Sequence, residues 1–326
     1  MRLLPPVNKS MSSELILHHY DFSNFSEKIR LILGKKGLSW SSVEIPSFAP
    51  KPYYEPLTGG YRRTPSLQVG ADIYCDTQLI AEFLEEKYPN PTIYPGESPE
   101  RIRAMSLILS PWAESKFLWP LALYITGLHA GKFPQKFHED RARLHGKPIP
   151  SLERVKASSD RNLAVLLPQL KWLESFVPGD SRFLFGDEAS YADIVVYHPL
   201  HLLDRLDPDN DLLREYPKIL AWKSRILELG QGISRDLSPQ DALRIAKESE
   251  PVEVENMEIS KLERLKVGQV ISITPAGEVS PSTGVLLSLT DKEVTIRISN
   301  DEVGVANVHF PRTGYRLRGI KQKVSI

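Results

Sequence analysis

The spacing of apolar and polar positions changes twice along the chain and divides it into three segments. Glu14-Leu-Ile-Leu-His-His-Tyr20 is a short apolar run followed by a polar turn, Asp21–Asn24, and predicts a strand. From Ser26 to Lys36, Ile29, Leu31, Ile32 and Leu33 predict a helix that Gly34 and Gly37 weaken and end. Trp40–Ile45 predicts a second strand, and the Pro- and Gly-rich stretch Pro46–Gly60 a long loop. Ser66–Val69 and Asp72–Cys75 flank Gly70 as a tight hairpin. Asp76 or Thr77 then caps a helix through Leu79, Ile80, Phe83 and Leu84. The order is β-α-β-loop-β-β-α over residues 13–89, after a loose tail at 1–12.

A proline-rich linker at 90–96 leads into residues 97–249, where helical spacing dominates. Helices are predicted near 98–130, 151–177, 190–206, 210–230 and 238–249, with a polar, basic insertion or loop near 131–150. After Glu250 the two-residue period returns. Val267–Ile273, Thr283–Leu289, Glu293–Ile298 and Ala306–Phe310 are predicted strands; in the third, Val294, Ile296 and Ile298 alternate with Thr295, Arg297 and Ser299. Residues 250–326 therefore predict a small all-β domain after an α+β segment and an all-α one.

Composition narrows the function. The 326 residues allow about two domains. Lys plus Arg equals Asp plus Glu at 41 each, so there is no excess positive charge to displace counterions from a nucleic acid. Cys75 is the single cysteine, which excludes an internal disulfide, a CxxC dithiol and an all-cysteine metal site, and reads as a buried, inert thiol. His198 and His201 share a helical face, but Pro199 lies between them and no third ligand has suitable spacing, so no metal is expected. No run has the length of a membrane span or of a secretory core, and the expected compartment is the cytoplasm.

Three segments carry a specific resemblance: HHYDFSNFSEKIRLIL from His18, YRRTPSLQVGADIYCDTQLIAEFLE from Tyr61, and GDEASYADIVVYHPL from Gly186. In this order and at these distances they resemble the cytosolic glutathione transferases. Residues 14–88 are similar to that family's thioredoxin-like N-terminal domain and 95–249 to its all-helical domain. The resemblance implies a serine-type site. Ser23 falls where the family's serine or cysteine lies, and would stabilise the glutathione thiolate with its hydroxyl and the positive end of the following helix. Tyr20 is the second candidate. Ser23 also reads as a simple helix cap, and Asn24 stands where the family usually has proline, so the local turn can differ.

By the same resemblance, Pro65 is cis and presents the Thr64 backbone to the cysteinyl part of glutathione. Asp76 and Thr77 match the family's Glu/Gln-Ser pair, which binds the α-ammonium and carboxylate of the γ-glutamyl group, and Arg63 meets a carboxylate. Ser190 and Asp193 look like the structural capping box of the helical domain. Trp112, Phe117, Trp119 and Tyr124 are the acceptor-pocket candidates.

The implied function is activation of glutathione, as co-substrate, for attack on a small hydrophobic electrophile, by conjugation or peroxide reduction in a detoxifying enzyme. The alternative is a non-catalytic binding or scaffold protein, or a carrier of hydrophobic ligands, with the β extension engaging a protein partner. A homodimer is the family's usual state.

Overall fold

The computed structural model describes residues 14–254 and 264–320; the expected tail at 1–12 lies outside them. The chain divides into two compact units, one from residues up to 19, 40–80 and 235–326, the other from 20–39 and 81–234. No described helix is long and apolar enough to cross a membrane.

The first unit is built on one ten-stranded sheet. In chain order its strands are β1 Ile16–His19, β2 Ser39–Glu44, β3 Ser66–Val69, β4 Asp72–Cys75, β5 Ile233–Asp236, β6 Val270–Pro275, β7 Ser282–Leu289, β8 Glu293–Asn300, β9 Gly304–Pro311 and β10 Tyr315–Gly319. Across the sheet the order is β10-β6-β7-β8-β9-β4-β3-β1-β2-β5. The thioredoxin-like part is the run β4-β3-β1-β2, with β1 and β2 parallel and the other two pairs antiparallel.

The C-terminal strands continue this sheet. Strand β9 pairs parallel with β4, setting Asp72 opposite Asn307, Ile73 opposite Val308 and Tyr74 opposite His309. One apolar cluster accordingly holds Ile73 and Cys75 of β4 together with Ile296 of β8 and Val308 and Phe310 of β9. The helix Pro239–Glu248 adds Ala242, Leu243 and Ala246 to the same cluster, so it belongs with the strands and not with the helices that precede it. Gln68 on β3 fixes it by donating to the Ala242 carbonyl at 2.8 Å.

Two strands are absent from the sequence reading. Strand β5 is exposed at all four positions, and β10 is mostly polar. Both lie at edges of the sheet, where burial imposes no alternation. Strand β8 follows its predicted alternation except at Thr295, which is buried because its hydroxyl bonds Glu293.

The second unit holds most of the helices. Asn24–Lys35 runs through Gly34, where a Cβ would fall on the Gly230 carbonyl; this glycine serves close packing, and the helix ends one residue later. The long helix expected near 98–130 is Pro99–Pro111, a π-helical stretch at Trp112–Phe117, and Leu118–Leu128. Pro111 supplies no amide N–H and its ring crowds the preceding turn, which accounts for the wider ladder beginning there. Within the expected loop near 131–150, Gln135–Leu144 is helical, burying His138, Ala142 and Leu144. Leu152–Phe176 is one helix capped by Ser151.

The capping box at Ser190 and Asp193 is present. Asp193, fully buried, also accepts from Leu184 N at 2.8 Å and Trp222 Nε1 at 2.9 Å, so one carboxylate ties three segments of the unit together.

Candidate active site

The thiol-activating candidates lie in the second unit. Backbone N–H of Ser23 donates to the Tyr20 carbonyl at 3.1 Å, closing the turn that starts the helix Asn24–Lys35. Ser23 is the N-cap: its Oγ accepts from Ser26 N at 3.1 Å, and the residue is 2% exposed. That cap satisfies one helix N–H while the remaining first-turn dipoles leave a partial positive charge. At the same helix start, Asn24 Nδ2 and Ser26 Oγ are buried without a hydrogen-bond partner. Tyr20 is half-buried with its ring 4.8 Å from Phe22.

The helix that follows buries its charges. Lys28 Nζ pairs with Glu114 at 2.6 Å and stands over the rings of Phe25 and Tyr191. Burial pushes the Glu114 carboxyl up, but Lys28 outweighs this and holds it at about 2. Arg30 pairs with Glu27 at 2.8 Å. The charged half of the N-terminal motif is thus structural.

His198 and His201 each meet a backbone carbonyl. His198 Nδ1 donates to the Val195 carbonyl at 2.6 Å, and His201 Nε2 lies 3.4 Å from the Asp21 carbonyl. Burial lowers both, His198 to about 3. Among the described residues no group of three His, Cys, Asp or Glu side chains is arranged to hold a metal.

The glutathione-binding candidates lie in the first unit. The Thr64–Pro65 bond is cis. Lys51 Nζ donates to Thr64 Oγ1 at 2.9 Å and to the Arg62 carbonyl at 3.0 Å, and Tyr54 Oη donates to the Arg63 carbonyl at 2.6 Å. These two residues anchor the loop before β3, and neither carried a recognisable signal in the Pro-rich stretch. Asp76 has φ +80°, a left-handed conformation uncommon outside glycine. Its carbonyl accepts from Ile80 N and its Oδ1 from Gln78 N, both at 3.0 Å, so Asp76 caps the helix Thr77–Lys87. Thr77 is buried at the first turn.

Two residues of the C-terminal extension reach this cluster, Tyr315 on β10 and Glu278 between β6 and β7. Tyr315 Oη donates to Asp76 Oδ2 at 2.9 Å and lies 3.1 Å from Tyr61 Oη. Glu278 accepts from Arg63 Nε at 2.6 Å, and Arg63 also donates to the Ala276 carbonyl. Arg63 is therefore spent on an internal ion pair. Neither Glu278 nor Tyr315 was legible as a site residue, because nothing in their own sequence surroundings marks a contact more than 200 positions away. Cys75, one residue from Asp76, is fully buried; burial first, then the Asp76 charge, pushes its thiol well above the ordinary range. The thiol is buried, as its position in a strand suggested.

The four aromatic candidates separate. Phe117 is fully buried and stacked on Trp112 at 5.2 Å, so it is core. Trp112 and Trp119 line an open groove with Leu123, Val165 and Trp172. Tyr124 is half-buried, its hydroxyl accepting from Asn210.

A thioredoxin-like β-α-β-β-α segment, a serine-capped helix after its first strand and a capped helical bundle together define the fold class, a thioredoxin-like domain followed by an all-helical one. Residues 17–92 match the family description "Glutathione S-transferase, N-terminal domain", and residues 156–222 match "Glutathione S-transferase, C-terminal domain". A GST-like protein from Pseudomonas syringae is 34% identical, with a TM-score of 0.72 over 94% of this chain and 100% of that one. The first 249 residues alone could not reach that share, so the likeness extends into the C-terminal strands. The chain belongs to the glutathione S-transferase family. Among curated relatives, human glutathione S-transferase theta-2 is 23% identical over half of this chain, which spans 59% of the human protein's length. A Triticum aestivum glutathione S-transferase is 25% identical over 57% of this chain and 76% of its own.

Proposed function

We propose that this protein binds glutathione and uses its thiolate to attack a small hydrophobic electrophile, by conjugation or by reduction of a peroxide, in a cytoplasmic, detoxifying role. The observation that carries this reading is Ser23. Its Oγ accepts from the helix, so its hydroxyl hydrogen is left to donate to a sulfur anion at a helix N-terminus. The buried, unpartnered Asn24 Nδ2 offers a second donor where the family usually has proline. In this reading the Thr64 backbone takes the cysteinyl part of glutathione, Asp76 its α-ammonium and Thr77 its γ-glutamyl carboxylate. Arg63, already paired with Glu278, leaves the ligand-binding set.

The test is turnover of glutathione with an activated aryl halide and with an organic hydroperoxide. Turnover of either supports the enzyme. Glutathione binding without turnover of any electrophile leaves a scaffold or carrier.

The proposal includes a homodimer. Trp119, Leu123, Val165 and Trp172 are 45, 41, 51 and 62% exposed and share one groove. Exposed apolar groups gathered in this way mark association surfaces. Light scattering is expected to give twice the 36.9 kDa chain mass for the wild type. Trp172→Glu is expected to shift it to the single-chain mass; a monomeric wild type contradicts the dimer.

A further inference from the structure

We infer that Tyr315, in the C-terminal extension, is a positioning residue for glutathione binding: its hydroxyl fixes the Asp76 carboxylate that takes the ligand's α-ammonium. The inference rests on the glutathione reading and adds to it a contribution from outside the family's two usual domains. Asp76 is held at φ +80°, a conformation that persists in a non-glycine residue only when its surroundings over-determine it. Its side chain shows how. Gln78 N donates to one carboxylate oxygen at 3.0 Å and Tyr315 Oη to the other at 2.9 Å. Each carboxylate oxygen accepts more than one hydrogen bond, so both contacts orient the group and are compatible with an ammonium ligand.

Tyr315 is itself held. Its hydroxyl hydrogen goes to Asp76, so the 3.1 Å contact with Tyr61 makes Tyr61 the donor to Tyr315. Its ring packs 5.6 Å from Phe310, and Phe310 packs 5.6 Å from Tyr61. Both tyrosines are nearly buried. Burial first, then the Asp76 charge, pushes both phenols well above the ordinary range, so both stay protonated as donors. The adjoining ion pair between Arg63 and Glu278, at 2.6 Å, fixes a second point of the same cluster to the extension. A chain of hydrogen bonds thus runs from Tyr61 through Tyr315 of the extension to the Asp76 carboxylate.

The test is calorimetric titration of the full-length chain with glutathione, for the wild type, Tyr315→Phe, Asp76→Asn and the double variant. Tyr315→Phe is expected to weaken glutathione binding about tenfold, as the loss of one hydrogen bond to a charged group does. It should leave the pKa of the bound thiol unchanged, because Tyr315 acts on Asp76 and not on the sulfur. The double variant is expected to bind no more weakly than Asp76→Asn alone, the signature of one residue acting through the other. Tyr61→Phe removes the hydrogen bond that Tyr61 donates to Tyr315 and is expected to weaken binding about two- to threefold; it carries the test if Tyr315→Phe does not fold. Unchanged affinity in folded Tyr315→Phe, or additive losses in the double variant, overturns the inference while leaving the glutathione reading intact. A wild type that binds no glutathione overturns both.

Discussion

Replacing His309 with glutamine is expected to destabilise the first unit by about 3 kcal/mol or more, the usual effect of breaking a buried ion pair. His309 on β9 stands opposite Tyr74 of β4 at the junction between the thioredoxin-like strands and the extension. Its Nε2 lies 3.0 Å from Asp72 Oδ1 and its Nδ1 2.7 Å from Glu293 Oε1, with the Tyr74 ring stacked at 4.5 Å. Burial alone would lower the imidazole, but the hydrogen bonds and charges of the two carboxylates outweigh it and raise it from 6.5 to about 9. Glutamine would leave two carboxylates in place with no cation between them.

The sign of the pH effect follows. A histidine whose pKa is higher folded than unfolded contributes stability that is fully present below the unfolded value, about 6.5, and is lost as pH rises through about 9. Urea unfolding of the wild type is expected to show a midpoint that falls across this window. The fall should be absent in His309→Gln, which starts lower. A wild-type profile as flat as the variant's would mean that His309 is neutral in the folded chain.

Ser23→Ala is expected to lower kcat for conjugation by about a hundredfold, the scale of removing one donor from a developing anion. The bound thiol should return toward the free cysteine value of about 8.5. The same change removes the helix cap, which costs about 1 kcal/mol. Ser23→Gly separates the two effects, because glycine caps nearly as well but offers no hydroxyl. It should match Ser23→Ala in kcat and exceed it in stability. If kcat survives in both variants, Tyr20 or Asn24 holds the thiol in place of Ser23.

What the sequence disclosed depended on distance along the chain. Strands β3 and β4 are legible residue for residue because a glycine turn and apolar runs fix them locally. Ser23, Asp76 and Ser190 are legible as caps because a capped N–H lies two or three residues from the side chain that accepts it. The Pro111 interruption was written in the sequence but its outcome, a π stretch within a continuing helix, depends on packing. The helix at Gln135–Leu144 was hidden by a polar composition that buries only a few positions. Pairing of β9 with β4 was not legible at all. The alternation in β8 shows that it has a buried face, but period two carries no information about which strand lies alongside, and β9 is buried from Ala306 to Pro311. Arg63 shows the consequence for the site: its local setting suited a ligand carboxylate, and Glu278, 215 positions away, holds it instead.

The most direct test of a glutathione-activating site is the ultraviolet thiolate absorbance of the wild-type complex with glutathione, followed between about pH 5 and pH 9, the range spanning shifted and free thiol values. The expected result is a midpoint below about 7, with most of the bound thiol ionised at neutral pH. A midpoint at the free value of about 8.5, or no bound glutathione, would contradict it.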